Sequence, residues 1–228
     1  MSAPATLSGP VEDYLKAIYD LERIGEPAST NDIAFRLGVA PASVSGMVRR
    51  LADQGLITHE PYRGVRLTAD GRRAALRTLR RHRILECYLT EVLAYPWDRV
   101  HEEAERLEHA ASEELIERMA GALGDPVQDP HGAPIPTRDG FVEEAALRSL
   151  ADAVQGDRLR VRRVQDEEAE RLRYLAELGI RPGARLRVLD KAPFDGPITL
   201  WVDDAAGGAT RAIGVGLAAQ VFVDELSE

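Results

Sequence analysis

Residues 124–140 hold four prolines (Pro126, Pro130, Pro134 and Pro136) and no helical period, so they read as a loop that parts two stretches with different apolar repeats. Before the loop, apolar residues recur at helical spacing; from Asp157 they fall in short runs between Gly and Pro turns. Such a chain is neither one bundle nor one sheet. It is expected to be multidomain, mainly α with a β C-terminus.

Leu15, Ile18, Tyr19 and Leu21 give an amphipathic first helix from Val11 to Ile24, ended by Gly25, Glu26 and Pro27. Ser29 or Thr30 can cap a second helix carrying Ile33, Ala34 and Leu37, with Gly38 as its stop. Pro41 suits the first turn of a third helix whose Val44, Val48 and Leu51 share one side. Leu56–Glu60 and Val65–Thr68 read as strands joined by a turn at Pro61, Tyr62, Arg63 and Gly64. Three short helices and a hairpin make a winged helix-turn-helix, assigned to residues 1–74. A helical domain is expected over 75–140, with one helix over 69–94, a break near Tyr95 and Pro96, and a second helix from about Asp98 to Leu123. A linker over 141–156 then leads to an SH3-like β-barrel over 157–228. Its strands are expected at 158–164, 185–189, 198–202 and 220–223, with a short helix over 167–178.

No apolar run reaches the roughly 18 residues that span a bilayer, and the N-terminus lacks a signal-peptide layout, so a cytoplasmic protein with no membrane partner is expected. Cys87 is the single cysteine, which excludes an internal disulfide and four-cysteine zinc. Any metal must sit on His, Asp and Glu. The formal net charge of −9 argues against nucleic acid, but the charge is unevenly spread. Residues 40–81 carry nine Arg and three acids, 9 − 3 = +6, whereas residues 82–228 carry 17 basic and 29 acidic residues, 17 − 29 = −12.

That basic region coincides with the winged helix. Pro41, Ala42, Ser43 and Ser45 at the start of the third helix suit base edges, and Arg49, Arg50, Tyr62 and Arg63 suit backbone phosphates. The competing reading is a protein-binding module, which gives no reason to concentrate Arg there.

His82 and Glu86 are i, i+4 neighbours, and His101, Glu105, Glu108 and His109 fall within roughly 100° of one helical arc. Mixed imidazole and carboxylate donors suit Mn(II) or Fe(II), with Zn(II) able to substitute. A solvated acidic face is the alternative. His59 and His131 read as ordinary strand and loop residues. The metalloprotease pattern of two His around a Glu is absent, as is any nucleophile triad or phosphate-binding glycine loop, so no catalytic residue is assigned and an enzyme is not expected.

Together these residues resemble the metal-dependent repressors related to the diphtheria toxin repressor and the manganese regulator MntR. The resemblance runs through Glu12-Asp13-Tyr14-Leu15, the winged helix, His82-Arg83 with Glu86, and Val100-His101 with Glu105, Glu108 and His109. It continues through Pro130-His131-Gly132, Pro134-Ile135-Pro136, Leu178-Gly179-Ile180, Pro182-Gly183 and, in a C-terminal domain of the FeoA type, Ile213-Gly214 with Leu217-Ala218. It implies a homodimeric repressor of metal-uptake genes that binds a double-stranded DNA operator when loaded with Mn(II) or Fe(II). The segment over 75–140 becomes the metal-binding and dimerisation domain.

The resemblance implies a primary site of Asp13, Glu105, Glu108 and His109, and an ancillary site of His82, Glu86 and His101 completed from the barrel by Glu168, with Glu170 as its substitute. Iron-type members carry a thioether and a thiol where Asp13 and Glu105 stand, which favours manganese over iron here. Lys16 occupies the place where short manganese regulators carry a further carboxylate, and Arg171 the place of a Gln ligand in longer members. Two other classes stay open: a winged-helix regulator sensing a small organic ligand, and a His/carboxylate metalloenzyme.

Overall fold

The computed structural model describes residues 7–23, 27–60, 64–143, 145–165, 168–203 and 207–226, with the Glu60 side chain outside this set. They fall into two compact units. The first comprises Met1–His82, Arg106–Ile116 and Pro136–Val142; the second comprises Arg83–Glu105, Glu117–Ile135 and Glu143–Glu228.

In the first unit α1 (Gly9–Arg23), α2 (Thr30–Leu37) and α3 (Pro41–Asp53) precede a hairpin of β1 (Ile57–Glu60) and β2 (Gly64–Leu67). Local chemistry sets these boundaries. The Ser29 hydroxyl accepts from the Asp32 N–H, satisfying one of the free donors at the start of α2, and Gly38 ends that helix at φ 63°. Pro41 stands at the start of α3, where its missing N–H has no helical partner to lose. The hairpin pairs Ile57 with Leu67 and Glu60 with Gly64; Pro61, Tyr62 and Arg63 of the wing lie outside the described residues. Leu15, Ile18, Ile33, Val44, Val48, Leu51, Ile57 and Val65 form one buried core with Ala75, Leu76 and Leu79 of the next helix. Each large member contributes about 1.5–3 kcal/mol of burial, so α1 and α3 are held as one body.

The helix α4 (Ala69–Glu91) begins in the first unit and ends in the second, followed by α5 (Val100–Leu107) and α6 (Glu113–Ala122). The single helix expected from Asp98 to Leu123 is therefore two. Ala110 and Ala111 donate to the Leu107 carbonyl in a tight turn, and Ser112 starts a new helix by accepting from the Leu115 N–H at 3.2 Å. Periodicity runs through both pieces, and the small residues and cap between them decide the break. Glu108 and His109 consequently sit on a turn after α5, not on a helix.

The second unit contains a six-stranded antiparallel sheet in the order β3-β8-β4-β5-β6-β7. Its strands are β3 (Arg148–Ser149), β4 (Arg158–Val164), β5 (Arg185–Lys191), β6 (Ile198–Val202), β7 (Ala209–Ile213) and β8 (Val221–Glu225), with α7 (Ala169–Glu177) after β4 and α8 (Val215–Ala218) before β8. The sheet thus starts at Arg148, inside the expected linker, and includes β7, which the sequence reading did not assign. Leu159, Val161, Leu172, Leu186, Val188, Ile198, Leu200, Val202 and Val223 form its core, and Trp97, from the α4–α5 connection, is buried among them. The mixed fold with a winged helix and a β-rich C-terminal domain is as expected.

Candidate metal centre

In the first unit α1 presents Glu12, Asp13 and Lys16, and the turn after α5 presents Glu108 and His109. His109 Nε2 lies 2.7 Å from Asp13 Oδ1, and its Nδ1 lies 2.7 Å from Glu12 Oε2. Gly9, at the start of α1, leaves room for this ring, since a Cβ there would stand 3.3 Å from it. Glu108 is fully buried and doubly held: its Oε1 accepts from Lys16 Nζ at 2.7 Å, and His82 Nδ1 meets its Oε2 at 2.6 Å. Arg81 completes the cluster by pairing with Glu12 at 2.5 Å and Glu113 at 2.8 Å.

The charges follow from these contacts. Burial pushes Glu108 up, but the His82 hydrogen bond and the Lys16 ammonium outweigh it and hold its carboxyl below the usual value of 4.5. Burial raises Asp13 despite the opposing pull of His109. For His109, burial acts downward, while the Glu12 hydrogen bond and the charges of Asp13 and Glu108 overcome it and raise the imidazole above 6.5. Asp13, Glu108 and His109 each offer a ligand atom within 4.8 Å of the others.

The second unit holds the remaining candidates. Glu86 is fully buried, His101 Nδ1 stands 3.3 Å from its Oε1, and His101 Nε2 stands 3.8 Å from Glu105 Oε1. A group not assigned from the sequence lies here as well. Glu86, Asp129 and His131 are all buried, each with a ligand atom within 4.8 Å of the others. His131, read as an ordinary loop residue, has no exposed surface, and its ring stacks on Trp97 with centroids 5.4 Å apart.

Its Nε2 lies 2.8 Å from the Trp97 carbonyl oxygen. A carbonyl only accepts, so in the neutral ring Nε2 carries the hydrogen and Nδ1 presents its lone pair, 3.9 Å from Glu86 Oε1. Metal-binding histidines are oriented in this way, by a backbone carbonyl on the far nitrogen. Asp129 Oδ1 accepts from the His131 and Ala133 N–H groups at 2.8 and 2.9 Å, and Arg83 Nε approaches its Oδ2 at 3.3 Å. The buried carboxylates of Glu86 and Asp129 and the inward lone pair of His131 make a mixed oxygen and nitrogen donor set, so these donors fit a divalent metal.

Gly132 holds the loop in place. Its φ is +88°, and a Cβ there would fall 1.9 Å from the Arg162 carbonyl oxygen of β4. Close backbone approach lets Val164 donate to the His131 carbonyl at 2.9 Å. No helical or strand period marks a loop histidine as buried; the dense Pro-Gly setting of His131 was the available signal. Glu168 is exposed and pairs with Arg171 at 2.8 Å, and among the described residues it joins no group of three donors.

On α3, Pro41, Ala42, Ser43, Ser45, Arg49 and Arg50 are exposed, whereas Val44, Val48 and Leu51 turn into the core. Tyr62 and Arg63 lie outside the described residues.

Three family descriptions match in succession. Residues 6–65 match "Iron dependent repressor, N-terminal DNA binding domain", residues 68–137 match "Iron dependent repressor, metal binding and dimerisation domain", and residues 148–225 match the FeoA domain. The iron-dependent repressor IdeR of Mycobacterium leprae is 34% identical over 190 residues, 78% of this chain and 82% of that protein. A solved manganese-dependent transcriptional repressor in complex with manganese is 43% identical over 95% of this chain and 100% of its own, with a TM-score of 0.86. ScaR with bound Cd2+ is 30% identical over 95% of this chain and 99% of its own, with a TM-score of 0.80.

Proposed function

Because this chain belongs to the iron-dependent repressor family, we propose that it is a metal-dependent, DNA-binding transcriptional repressor that acts as a homodimer on genes of metal uptake. The observation that carries the reading is the bond from His109 to Asp13. It ties a residue of the segment matching the metal-binding and dimerisation domain to α1 of the segment matching the DNA-binding domain.

Asp13, Glu108 and His109 would hold one cation, with Glu105 added on its spacing and the family resemblance. Glu86, Asp129 and His131 would hold a second; His82, His101 and Glu168 are further candidates on sequence grounds. A bound ion supplies the positive charge that lets these carboxylates meet beside neutral imidazoles. Asp13 then fixes α1, and the core shared by α1 and α3 carries that constraint to the exposed residues Pro41, Ala42, Ser43 and Ser45. Restricting each reading head raises the fraction of molecules in the competent arrangement, and the apparent affinity rises by that fraction. Arg49 and Arg50 would meet phosphates, together with Tyr62 and Arg63 of the wing.

Carboxylates at Asp13 and Glu105 support Mn(II) over Fe(II), since hard donors favour hard ions, and Zn(II) or other divalent ions would substitute. Among the described residues no helix is long and apolar enough to cross a membrane. Footprinting on the promoters of metal-uptake genes, with Mn(II), with Fe(II) under anaerobic conditions, and with chelator, tests the reading. Protection with metal and none with chelator is expected; equal protection in both overturns it.

A further inference from the structure

The solvent face of β4 and β5 sets arginine against arginine. Arg158 stands across from Arg187, and Arg160 from Arg185. Directly opposed residues project from the same side of a ladder. The residues between them, Leu159, Val161, Leu186 and Val188, are buried, so the four guanidinium groups share the outer side. There Arg158, Arg185 and Arg187 are exposed and Arg160 is half-buried. Like charges directly opposed weaken strand pairing, and among the described residues no acid forms an ion pair with any of the four. Asp224, across from Arg160, pairs instead with Arg162 at 3.5 Å, and Asp203 accepts from Trp201 Nε1 at 3.0 Å.

Residues two apart on a strand are about 7 Å apart and neighbouring strands about 5 Å, so the four forks form a dense cationic grid. In a chain of formal net charge −9 this concentration calls for an anionic partner. Guanidinium forks take phosphate oxygens two at a time. Among the described residues β4 and β5 carry no exposed large apolar side chain, which protein interfaces place at their centres. A phosphate backbone needs no such anchor.

We propose that this arginine face is a second DNA contact, gripping phosphates of duplex DNA without reading sequence. The proposal rests on the repressor reading given above, and adds a contact outside the winged helix.

The test uses full-length, Mn(II)-loaded protein and a random-sequence duplex, with affinity followed by fluorescence anisotropy across a salt series. Two barrel variants are compared with wild type: the Arg158→Ser, Arg187→Ser pair, and all four arginines changed to Ser. Each lost phosphate contact should flatten the plot of log affinity against log salt by about 0.9, so by roughly 2 and 3–4 in the two variants. Thermal midpoints should be unchanged or higher, because repulsion is removed; the pair alone decides the matter if the fourfold variant does not fold. Wild-type slopes in both variants overturn the proposal. So does an unchanged slope with altered sedimentation, which would make the face a protein contact. An Arg49→Ser, Arg50→Ser variant separates the two readings: a flattened slope there with none in the barrel variants removes the arginine face alone. Wild-type protein that binds no random-sequence duplex overturns the arginine face, while the repressor reading stands or falls on the promoter footprints.

Discussion

His109 Nε2 and Asp13 Oδ1 meet at 2.7 Å although 96 residues separate them in the chain. The contact joins the turn after α5 to the first helix of the recognition domain, and two expectations follow from it; two more concern the loop that carries Asp129, His131 and Gly132 in the second unit.

Asp13→Ala should leave the fold intact, because the side chain is 38% exposed and its loss opens no cavity. A change in stability within about 1 kcal/mol is expected in a urea titration. Metal-stimulated operator binding should fall at least tenfold, a loss of about 1.4 kcal/mol in coupling. An anisotropy titration with and without Mn(II) measures it; wild-type stimulation would refute the role of Asp13.

Protons should leave as metal enters. His109 has its pKa raised above 6.5, burial being outweighed by the Glu12 hydrogen bond and the Asp13 and Glu108 charges. Without metal, its contribution to stability is therefore fully present below pH 6.5 and fades as pH rises through the raised value. Metal needs the neutral ring, so affinity should increase over that same interval, with about one proton released per ion bound there. Calorimetric titration in two buffers of different ionisation enthalpy counts the proton.

Asp129→Asn should reduce the bound metal by one equivalent while the fold survives, because an amide oxygen can still accept from the His131 and Ala133 N–H groups. His131→Ala should also lose that equivalent, at a further cost of about 2–4 kcal/mol for its cavity and its bond to Trp97. Metal analysis after gel filtration, paired with thermal melts, distinguishes the two effects. Full metal content in Asp129→Asn would count against the second centre.

Gly132→Ala should destabilise the protein by about 2–4 kcal/mol, combining a left-handed backbone with an overlap against β4. The relevant values are a φ of +88° and a Cβ position 1.9 Å from the Arg162 carbonyl oxygen. Denaturant unfolding is the measurement. A loss under about 0.5 kcal/mol would mean that the loop is not pressed against β4 as described.

The winged helix, the strands over 158–164 and 198–202, and the imidazole and carboxylate groups carried by α1, α4 and α5 could be read from residue order alone. Apolar repeats report which side of an element is buried, and Ser29, Gly38 and Pro41 act within one turn of where they stand. Two errors had a local cause: Ser112 restarts a helix that the apolar repeat carried straight through, and β7 has a single large apolar residue, Ile213, so it shows no alternation to stand out. The burial of Asp129 and His131 had only a dense Pro-Gly setting to suggest it, and the opposition of Arg158 to Arg187 had no local signal. Those features depend on chain segments distant in sequence and on strand register, and only packing brings them together. Residue order thus determined the elements and the supply of donors and charges; tertiary structure decided which of them meet, because a side chain's burial and partners belong to its neighbours in space.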